Sequence, residues 1–321
     1  MAGTTLSTTS GITDQIQRYL DKKLLTQTLK TIVLDQFAYK APLPGKAGHK
    51  TIKFFRYPES SITDVQAMTE GTLVTVGNSK QLSLTTVDVS LAQYGQTVTI
   101  SDLLSATELF STMEQATVQN GQDAALKVDS ELRDVLGEST AIGLRYAGAA
   151  TSYGTVGGTD DAMTALDILD AATELRVNNA RPSGGYFTAI MAPEVARDLM
   201  NDDDWLEASK YGNPDNLFKG EVGRYMGVRV VSTTNPFRQT TQHVYTAAGA
   251  NYSTFVVGDQ SYGGVDLTTM SAYSPKMIIS QGADKTDPLN QYTTVGFKFY
   301  YGAAIINSAH AVNIYSVTNY S

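Results

Sequence analysis

Apolar positions repeat at helical spacing over two long stretches of this chain. Between residues 12 and 37 they recur every three or four positions, and Pro42 and Pro44 end the pattern. Ser101, a residue type favoured at helix N-caps, precedes a second stretch that runs to Gly137. Roughly 36 residues rising about 1.5 Å each predict a helix of about 54 Å, a spine longer than one small core. Its apolar or small residues lie at positions 103, 106, 110, 113, 117, 121, 124, 128, 132 and 135.

Strand patterns surround the start of this spine. Residues 50–57 alternate as one strand that Pro58 closes, and residues 81–91 alternate as a second strand. The run 93–95, which ends in glycine, predicts a break before a short strand at 97–100. These strands and their long connection predict an extended β-arm.

The second half of the chain mixes both periodicities. A helix is predicted over 160–176, a strand over 186–191, and a short helix from Pro193, a residue suited to the first helical position, to Met200. Strands follow at 255–258 and within 292–317. The inward residues of the 160–176 helix are predicted to be Met163, Leu166, Leu169, Ala172 and Leu175. The order of elements predicts an α+β fold that carries a β-arm.

Three glycines at 220, 223 and 227 lead into a valine-rich run that ends at Ser232. Glycine permits backbone angles that side chains forbid, so the pattern predicts a tight turn that feeds a buried strand. A phosphate-binding loop needs Gly-Lys-Ser/Thr before a helix, and a dinucleotide loop needs a strand before it and a helix after it. Neither context is present, so the three glycines are interpreted as structural.

Composition argues against several classes of protein. At 321 residues the chain is long enough for two or more lobes, and its formal net charge of −8 argues against a protein built around a basic nucleic-acid-binding face. The absence of cysteine excludes disulfides and thiolate metal sites. The first ten residues lack the basic start and apolar core of a signal peptide, and no apolar run reaches the length of a membrane span.

Candidate chemistry is sparse. His49, His243 and His310 lie far apart in sequence, and none belongs to a metal-binding or catalytic motif. The acidic run 201–204 invites a calcium interpretation, but it lacks the ligand spacing of an EF-hand and is interpreted as a solvated loop. No Gly-x-Ser-x-Gly elbow occurs. These observations predict no enzyme activity, no cofactor and no metal.

Tyrosine is abundant, with 18 copies. Five of them cluster towards the C-terminus, at Tyr292, Tyr300, Tyr301, Tyr315 and Tyr320. Strand propensity explains such a cluster as well as interface anchoring does, so both interpretations stay open.

Several segments, in chain order, resemble elements of tailed-phage major capsid proteins of the Hong Kong 97-type fold, and most closely the phage N-four branch. The glycine-valine element resembles their "G-x-x-G-x-x-x-G-V-x-V-V" string. The other matching segments are 48–57 ("G-K-T-V-K-F-x-R-Y"), 69–73 ("L-T-E-G"), 93–102 ("Q-Y-G-x-x-V-x-I-T-D"), 191–194 ("M-H-P-E", with Ala192 in place of histidine) and 287–304 ("D-P-L-G-Q…V-G-x-K-x-x-Y-G-A"). The resemblance covers about residue 40 to the end of the chain.

The resemblance implies a major capsid protein that assembles as hexamers and pentamers into an icosahedral shell around the phage genome. It implies an N-terminal arm (1–39), an extended loop (40–96), a peripheral domain with the spine helix (97–139 and 286–321) and an axial domain (140–285). The implied partners are other copies of the chain, a separate scaffolding protein, the portal, a decoration protein and DNA packaged without sequence-specific binding. The implied location is the virion, assembled in the host cytoplasm, with no membrane partner.

Two alternatives remain open. A nanocompartment shell of the encapsulin type shares this fold but encloses cargo enzymes, and an unrecognised acidic enzyme would form a small oligomer. The contents and size of purified particles discriminate between them.

Opposite charges suggest how copies bind one another. Residues 40–56 carry five cations and no acid, a formal +5, whereas residues 102–138 carry eight acids against two cations, a formal −6. In the family that the chain resembles, the extended loop of one subunit crosses the peripheral domain of the next. We therefore expect contact between basic and acidic residues of neighbouring copies. The candidates are Lys46, Lys50, Lys53 and Arg56 on the loop and Glu108, Glu114 and Asp123 on the spine.

Overall fold

The structure is a computed structural model, and the description below rests on part of the chain. The described residues are 33–41, 51–58, 70, 82–107, 112–152, 155–156, 159–206, 223–238, 251–265, 276–280, 288–289 and 291–319. The predicted helix over 12–37 therefore lies mostly outside the described residues. Of this helix only residues 33–37 are described, and within them Leu34–Gln36 form a single 3₁₀ turn.

Four α-helices and fourteen strands occur in the described ranges. The helices are α1 (Asp102–Thr107), α2 (Thr112–Gly137), α3 (Ala165–Val177) and α4 (Pro193–Met200), and 3₁₀ turns span Leu34–Gln36, Thr159–Asp161 and Ser308–His310. The first seven strands are β1 (Tyr39–Ala41), β2 (Thr51–Arg56), β3 (Thr85–Ser90), β4 (Ala92–Ser101), β5 (Gly143–Tyr146), β6 (Phe187–Met191) and β7 (Arg224–Tyr225). The other seven are β8 (Val228–Ser232), β9 (Tyr252–Val257), β10 (Tyr262–Val265), β11 (Lys276–Ser280), β12 (Tyr292–Tyr301), β13 (Ala303–Ile305) and β14 (Ala311–Ser316).

The strands form four sheets. The largest has six strands in the order β5-β14-β9-β6-β8-β7, in which β5 and β14 are parallel, as are β6 and β8. Two three-stranded sheets have the orders β11-β12-β4 and β1-β10-β13, and β2 pairs with β3 as an antiparallel hairpin. The mixture of helices and sheets confirms the predicted α+β class.

The central strands β6, β9 and β14 of the six-stranded sheet are buried on both faces, as expected of strands with few polar positions. Ala189 and Met191 of β6 pack towards α3 and α4, where the core includes Ile168 and Val195. Ile190, on the other face of β6, belongs to a second core with Phe255 of β9 and Leu136 of α2. The sheet therefore separates two apolar cores, and the end of the spine helix packs against one of them.

Helix α2 supports the sheet β11-β12-β4. Strands β4 and β12 pair antiparallel over ten residues each, from Ala92 opposite Tyr301 to Ser101 opposite Tyr292. The buried face of α2 contacts this sheet, and the Asn120 amide donates to the Val295 carbonyl oxygen at 3.4 Å. Ser101 accepts a hydrogen bond from the Leu104 amide at 3.3 Å, as expected of an N-cap. Residues 108–111 lie outside the described residues, so the continuity of the spine through them stays a prediction.

Three element predictions need correction. The break predicted at 93–95 is wrong, because Gly95 continues β4 opposite Lys298 in the ladder with β12. The helix predicted from residue 160 begins at Ala165, because Thr164 and Asp167 form a reciprocal capping box there. Leu166, predicted to face inward, is 59% exposed, and Ile168 is buried in its place.

The position of the last strand differs from the implied domain division. That division placed 286–321 in the peripheral domain with the spine helix. Strand β14 instead pairs with β5 and β9, which both belong to the implied axial domain. Residues 311–316 therefore extend the six-stranded sheet, whereas β12 pairs with β4.

Gly95 generates a testable prediction about the pairing of β4 with β12. A Cβ atom at this position would lie 2.7 Å from the Phe297 carbonyl oxygen, a backbone atom that cannot move without disturbing the ladder. We expect Gly95→Ala to lower the free energy of unfolding by about 1–3 kcal/mol, measured by urea denaturation. Gln96→Ala, at the next and exposed position, is the control and should change it by less than about 0.5 kcal/mol. Equal effects of the two substitutions would contradict the account of the glycine.

Candidate inter-subunit surface and the seat of the N-terminal segment

A buried carboxylate holds the start of the described chain against the spine helix. Asp129 of α2 is only 4% exposed, and its carboxylate accepts hydrogen bonds from the Val33 amide at 3.0 Å and the Leu34 amide at 3.1 Å. The hydroxyl of Tyr262 in β10 donates to the Leu34 carbonyl oxygen at 2.7 Å. Both sides of this peptide segment are therefore fixed by buried polar groups.

A second buried carboxylate, that of Asp35, extends the same network. Tyr301 of β12 donates its hydroxyl to Asp35 Oδ1 at 3.1 Å, and Lys40 Nζ lies 2.9 Å from Asp35 Oδ2. Strand β1 then runs parallel to β10, with Tyr39 opposite Gly263. Lys40, one of the five cations in the basic stretch, thus pairs within its own chain.

The network perturbs the titration of its members. Burial raises the pKa of Asp129 to about 6, although hydrogen bonds from the backbone amides of Val33 and Leu34 oppose the rise and the charge of Asp35 adds to it. Burial and the nearby Asp35 also raise the pKa values of Tyr262 and Tyr301 well above the usual value for tyrosine. Both phenols therefore stay protonated donors.

The basic contact candidates lie on the β2–β3 hairpin where the structure describes them. Lys53 Nζ lies 3.6 Å from Asp88 Oδ1 on the paired strand, and both side chains are about half exposed. Arg56 is half-buried, and its Nε atom is buried with no hydrogen-bond partner among the described residues. Lys46 and Lys50 lie outside the described residues.

The acidic face of the spine helix is smaller than the sequence count indicated. Asp129 points into the core, Glu131 Oε1 pairs with Lys127 Nζ at 2.6 Å, and Asp134 Oδ1 pairs with an Arg133 nitrogen at 2.7 Å. The two cations are already subtracted in the formal −6, so it is the burial of Asp129 that removes a further acid from the surface that a neighbour could meet. Of the three spine candidates, Glu114 and Asp123 are partly exposed on α2, and Glu108 lies outside the described residues. Whether they contact the basic candidates of another copy stays a prediction.

Asp123 borders a groove of about 440 Å³ between α2 and the β4–β12 sheet. Lys127 Nζ lies 4.7 Å from the centre of the Tyr94 ring, and the groove continues past Phe297 and Phe299. Burial, together with the hydrogen bond to Glu131 and the charge of that residue, raises the pKa of Tyr94 to about 12. The groove combines aromatic walls with both signs of charge, a composition suited to a peptide segment.

The glycine-valine element forms the tight turn that the sequence predicted. Gly223 and Gly227 have φ angles of +94° and +88°, and the turn at Met226 and Gly227 joins β7 to β8. Arg176 of α3 donates to the Met226 carbonyl oxygen at 2.7 Å, and a Cβ atom at Gly227 would lie 2.9 Å from the same Arg176 nitrogen. Gly220 lies outside the described residues.

The described residues contain no group of three acidic or histidine side chains arranged to hold a metal ion. Asp202, from the acidic run, accepts a hydrogen bond from the Ala165 amide at 2.7 Å, so it caps the first turn of α3. His310 Nδ1 lies 3.0 Å from the Asp259 carbonyl oxygen, while His49 and His243 lie outside the described residues. No helix in the described ranges is long and apolar enough to cross a bilayer.

The tyrosine cluster divides between the core and the surface. Tyr301 and Tyr315 are buried, and Tyr315 stacks on Tyr146 with ring centres 5.9 Å apart. Tyr292 is exposed, and Tyr320 lies outside the described residues. The buried pair supports the structural interpretation for those two residues.

Sequence reasoning missed the network around Asp129 and Asp35. The available signal was an aspartate next to Val128, inside the predicted apolar stripe of the spine, where a charge needs a partner. Its partners are backbone amides almost a hundred residues away, and no sequence pattern identifies them.

Comparison with known proteins gives the fold. No family model and no curated protein matches the chain. Among solved structures, the capsid of Ralstonia phage GP4 matches with a TM-score of 0.69 at 15% identity over 90% of each chain. The capsid asymmetric unit of cyanophage Pam1 matches with a TM-score of 0.65 at 16% identity, covering 92% of this chain and 93% of that one. A virus-like particle from Pyrococcus furiosus matches with a TM-score of 0.53 at 10% identity, covering 93% and 99%. The chain therefore has the Hong Kong 97-type fold, as its sequence resemblance implied.

The raised pKa of Asp129 predicts a pH dependence of stability. The pKa rises from about 4 in an unfolded chain to about 6 here, so the folded chain binds a proton more strongly. The proton-linked part of the contribution of Asp129 to the free energy of unfolding is then greatest below about pH 4 and is lost as the pH rises through about 6, whereas the hydrogen bonds from the Val33 and Leu34 amides remain. We expect the difference between the wild type and Asp129→Asn to fall by on the order of 2–3 kcal/mol between pH 4 and 7.

Urea denaturation at each pH measures this difference. Tyr262→Phe is the control. It removes the hydrogen bond from the Tyr262 hydroxyl to the Leu34 carbonyl oxygen, and it changes no group that titrates in this pH range. It should cost about 1–2 kcal/mol at every pH. A difference between the wild type and Asp129→Asn that stays constant from pH 4 to 7 would contradict the prediction.

Proposed function

We propose that this chain is a major capsid protein, which assembles as hexamers and pentamers into an icosahedral shell around a phage genome. The observation that carries the proposal is whole-chain similarity: about nine-tenths of the chain matches the capsids of Ralstonia phage GP4 and cyanophage Pam1. The role is structural rather than enzymatic. A location in the virion after assembly in the host cytoplasm follows from the same proposal.

The β2–β3 hairpin supports a role in contacts between copies. A two-stranded hairpin alone is at best marginally stable in water. This one exposes 62% of Phe55 and 60% of Tyr57, large side chains that are favoured at interfaces. A neighbouring copy that covered them would remove this apolar surface from water.

The groove beside α2 is the surface that we propose for the hairpin of the next copy. Asp123 and Glu114 supply acids along α2, and Lys53 and Arg56 supply cations on β2, with Lys46 and Lys50 on the same basic stretch. The ion pair between Lys53 and Asp88 is exposed and contributes less than about 1 kcal/mol, so a neighbour can displace it. Glu108 is proposed for the same contact.

The remaining partners follow from a shell. We propose a separate scaffolding protein, the portal, a decoration protein and DNA held without sequence-specific contacts. We keep the division into arm, extended loop, peripheral domain and axial domain, with residues 311–316 assigned to the axial domain because of their strand pairing. The similarity to the Pyrococcus furiosus particle keeps a nanocompartment shell as the second candidate.

Particle size and content test the proposal. Sedimentation velocity of the purified protein, alone and co-expressed with the candidate scaffolding gene from the same genome, should show particles of megadalton mass. Nuclease-protected DNA inside particles isolated from infected cells supports a capsid, whereas protein cargo without DNA supports the nanocompartment. A protein that stays monomeric in every preparation would contradict both.

Charge reversal tests the proposed contact. Lys50→Glu together with Lys53→Glu should prevent particle formation, because two attractions in each contact become repulsions, while circular dichroism and the melting temperature stay unchanged. Lys50→Arg with Lys53→Arg preserves the charge and is the matched control, which should assemble normally. Raising the salt from about 0.1 M to about 1 M should weaken wild-type assembly, since the Debye length falls from about 10 Å to about 3 Å. Normal particles from the double glutamate variant would remove this mechanism.

A further inference from the structure

A polar cleft of about 440 Å³ lies between the end of β2 and one end of the six-stranded sheet. The hairpin contributes Arg56, flanked by the exposed rings of Phe55 and Tyr57. The sheet side contributes Arg181, from the loop after α3, and His310. The cleft is thus bordered by two parts of the fold that no strand pairing joins.

Hydrogen bonds fix the sheet side of the cleft. The Asp259 amide donates to the Arg181 carbonyl oxygen at 2.7 Å, and the Gly258 amide donates to the His310 carbonyl oxygen at 2.9 Å. His310 Nδ1 lies 3.0 Å from the Asp259 carbonyl oxygen and donates to it, which fixes the ring. Arg181 and His310 are therefore held on a preorganised backbone.

The two arginines of the cleft stand apart from the other arginines that the structure describes. Neither Arg56 nor Arg181 has an ion pair, a hydrogen-bonded side-chain partner or an aromatic ring beneath it in the described part of the chain. The arginines that do have such a partner are Arg133, Arg145, Arg176, Arg197, Arg224, Arg229 and Arg238. In a chain with a net charge of −8, two guanidinium groups that form no ion pair within the described residues line one cleft, which also has Asp259 on its rim.

The chemistry of the cleft favours carboxylates. Guanidinium groups bind carboxylate and phosphate oxygens through paired N–H donors. A polyphosphate strand would also meet the rest of an acidic chain, including Asp259 on the rim of the cleft, which repels dense negative charge. A short acidic segment carries only one or two charges and can place apolar neighbours against Phe55 and Tyr57.

The chain itself presents a complementary group. Asp203 and Asp204 are exposed, directly after the Asp202 that caps α3, and neither forms an ion pair within the described residues. Leu206, two positions further along, is exposed as well. These residues give an acidic pair with an apolar neighbour, which matches the arginines and rings of the cleft.

We propose that the cleft formed by Arg56, Arg181 and His310 receives the carboxylates of Asp203 and Asp204 from a second copy of this chain. The contact would tie the hairpin of one copy to the sheet of the same copy and to the α4 end of its neighbour. It rests on the proposed assembly function and assigns Arg56 to this cleft, so that Lys46, Lys50 and Lys53 are the cations left for the groove beside α2.

A charge exchange in the full chain tests the contact. The variants are Arg56→Glu with Arg181→Glu, Asp203→Lys with Asp204→Lys, and all four substitutions in one chain. Sedimentation velocity at low salt gives the protein concentration at which each variant associates. Each two-site variant should associate only at a protein concentration at least about tenfold higher than the wild type needs. The four-site variant should associate within about threefold of the wild-type concentration, because opposite charges face each other again.

Arg224→Glu with Lys298→Glu is the control, because it makes the same change in net charge outside the cleft, and it should associate as the wild type does. The contact is contradicted if the four-site variant recovers nothing, or if either two-site variant associates normally. A second arm measures binding of a single-stranded DNA oligonucleotide by fluorescence anisotropy. Binding that Arg56→Glu with Arg181→Glu abolishes, together with normal association of Asp203→Lys with Asp204→Lys, would assign the cleft to nucleic acid and overturn the proposal.

The outcomes separate this proposal from the proposed function. If particles form normally in all variants, the result agrees with the proposed capsid function and contradicts the cleft contact. A wild-type protein that never associates removes the capsid function, and the cleft contact falls with it.

Discussion

The buried carboxylate of Asp129 is the interaction on which the arrangement of the central core depends. It takes the amides of Val33 and Leu34 out of water and holds them against the spine helix. A buried charge that loses its partners costs several kcal/mol, so the carboxylate and the segment it binds stabilise each other. Tyr262 and Tyr301 bring β10 and β12 to the same segment, and one polar cluster thereby joins the spine helix to two sheets.

The surfaces that we propose for contacts between copies lie away from the buried strands of the six-stranded sheet. The central strands β6, β9 and β14 of this sheet are buried on both faces, so they offer no surface to a partner. The hairpin and the arginine cleft expose the rings of Phe55 and Tyr57, and the groove beside α2 has aromatic walls.

Features that depend on residues close together in sequence were predictable from local sequence patterns. The 3–4 spacing of small and apolar residues gave the inward face of α2, including Ala124, Val128 and Leu132, because a helix packed on one side must follow that period. The tight turn at Gly227 was predictable, since its positive φ angle favours glycine. The start of α3 could have been found from its capping box at Thr164 and Asp167.

Such patterns did not predict pairing between strands or residues that lie far apart in sequence. The glycine at position 95 resembles a break in the sequence pattern, yet β4 continues through it. Glycine fits there because the β12 backbone lies too close for a side chain. The sheet to which β14 belongs depends on pairing with β5 and β9, more than fifty residues away, and alternation alone does not identify a strand's neighbours. The inward turn of Asp129 likewise depends on distant amides, so the count of spine acids overstated the charge on the surface.

Cryo-electron microscopy of purified particles tests the central claim, that this chain is the repeating subunit of an icosahedral shell. The account predicts closed icosahedral particles whose reconstruction places the β2–β3 hairpin of one copy across α2 of the next. Closed particles in which the hairpin contacts only its own chain would contradict the proposed interface. Preparations that contain only compact single subunits, even with the scaffolding protein present, would contradict the account as a whole.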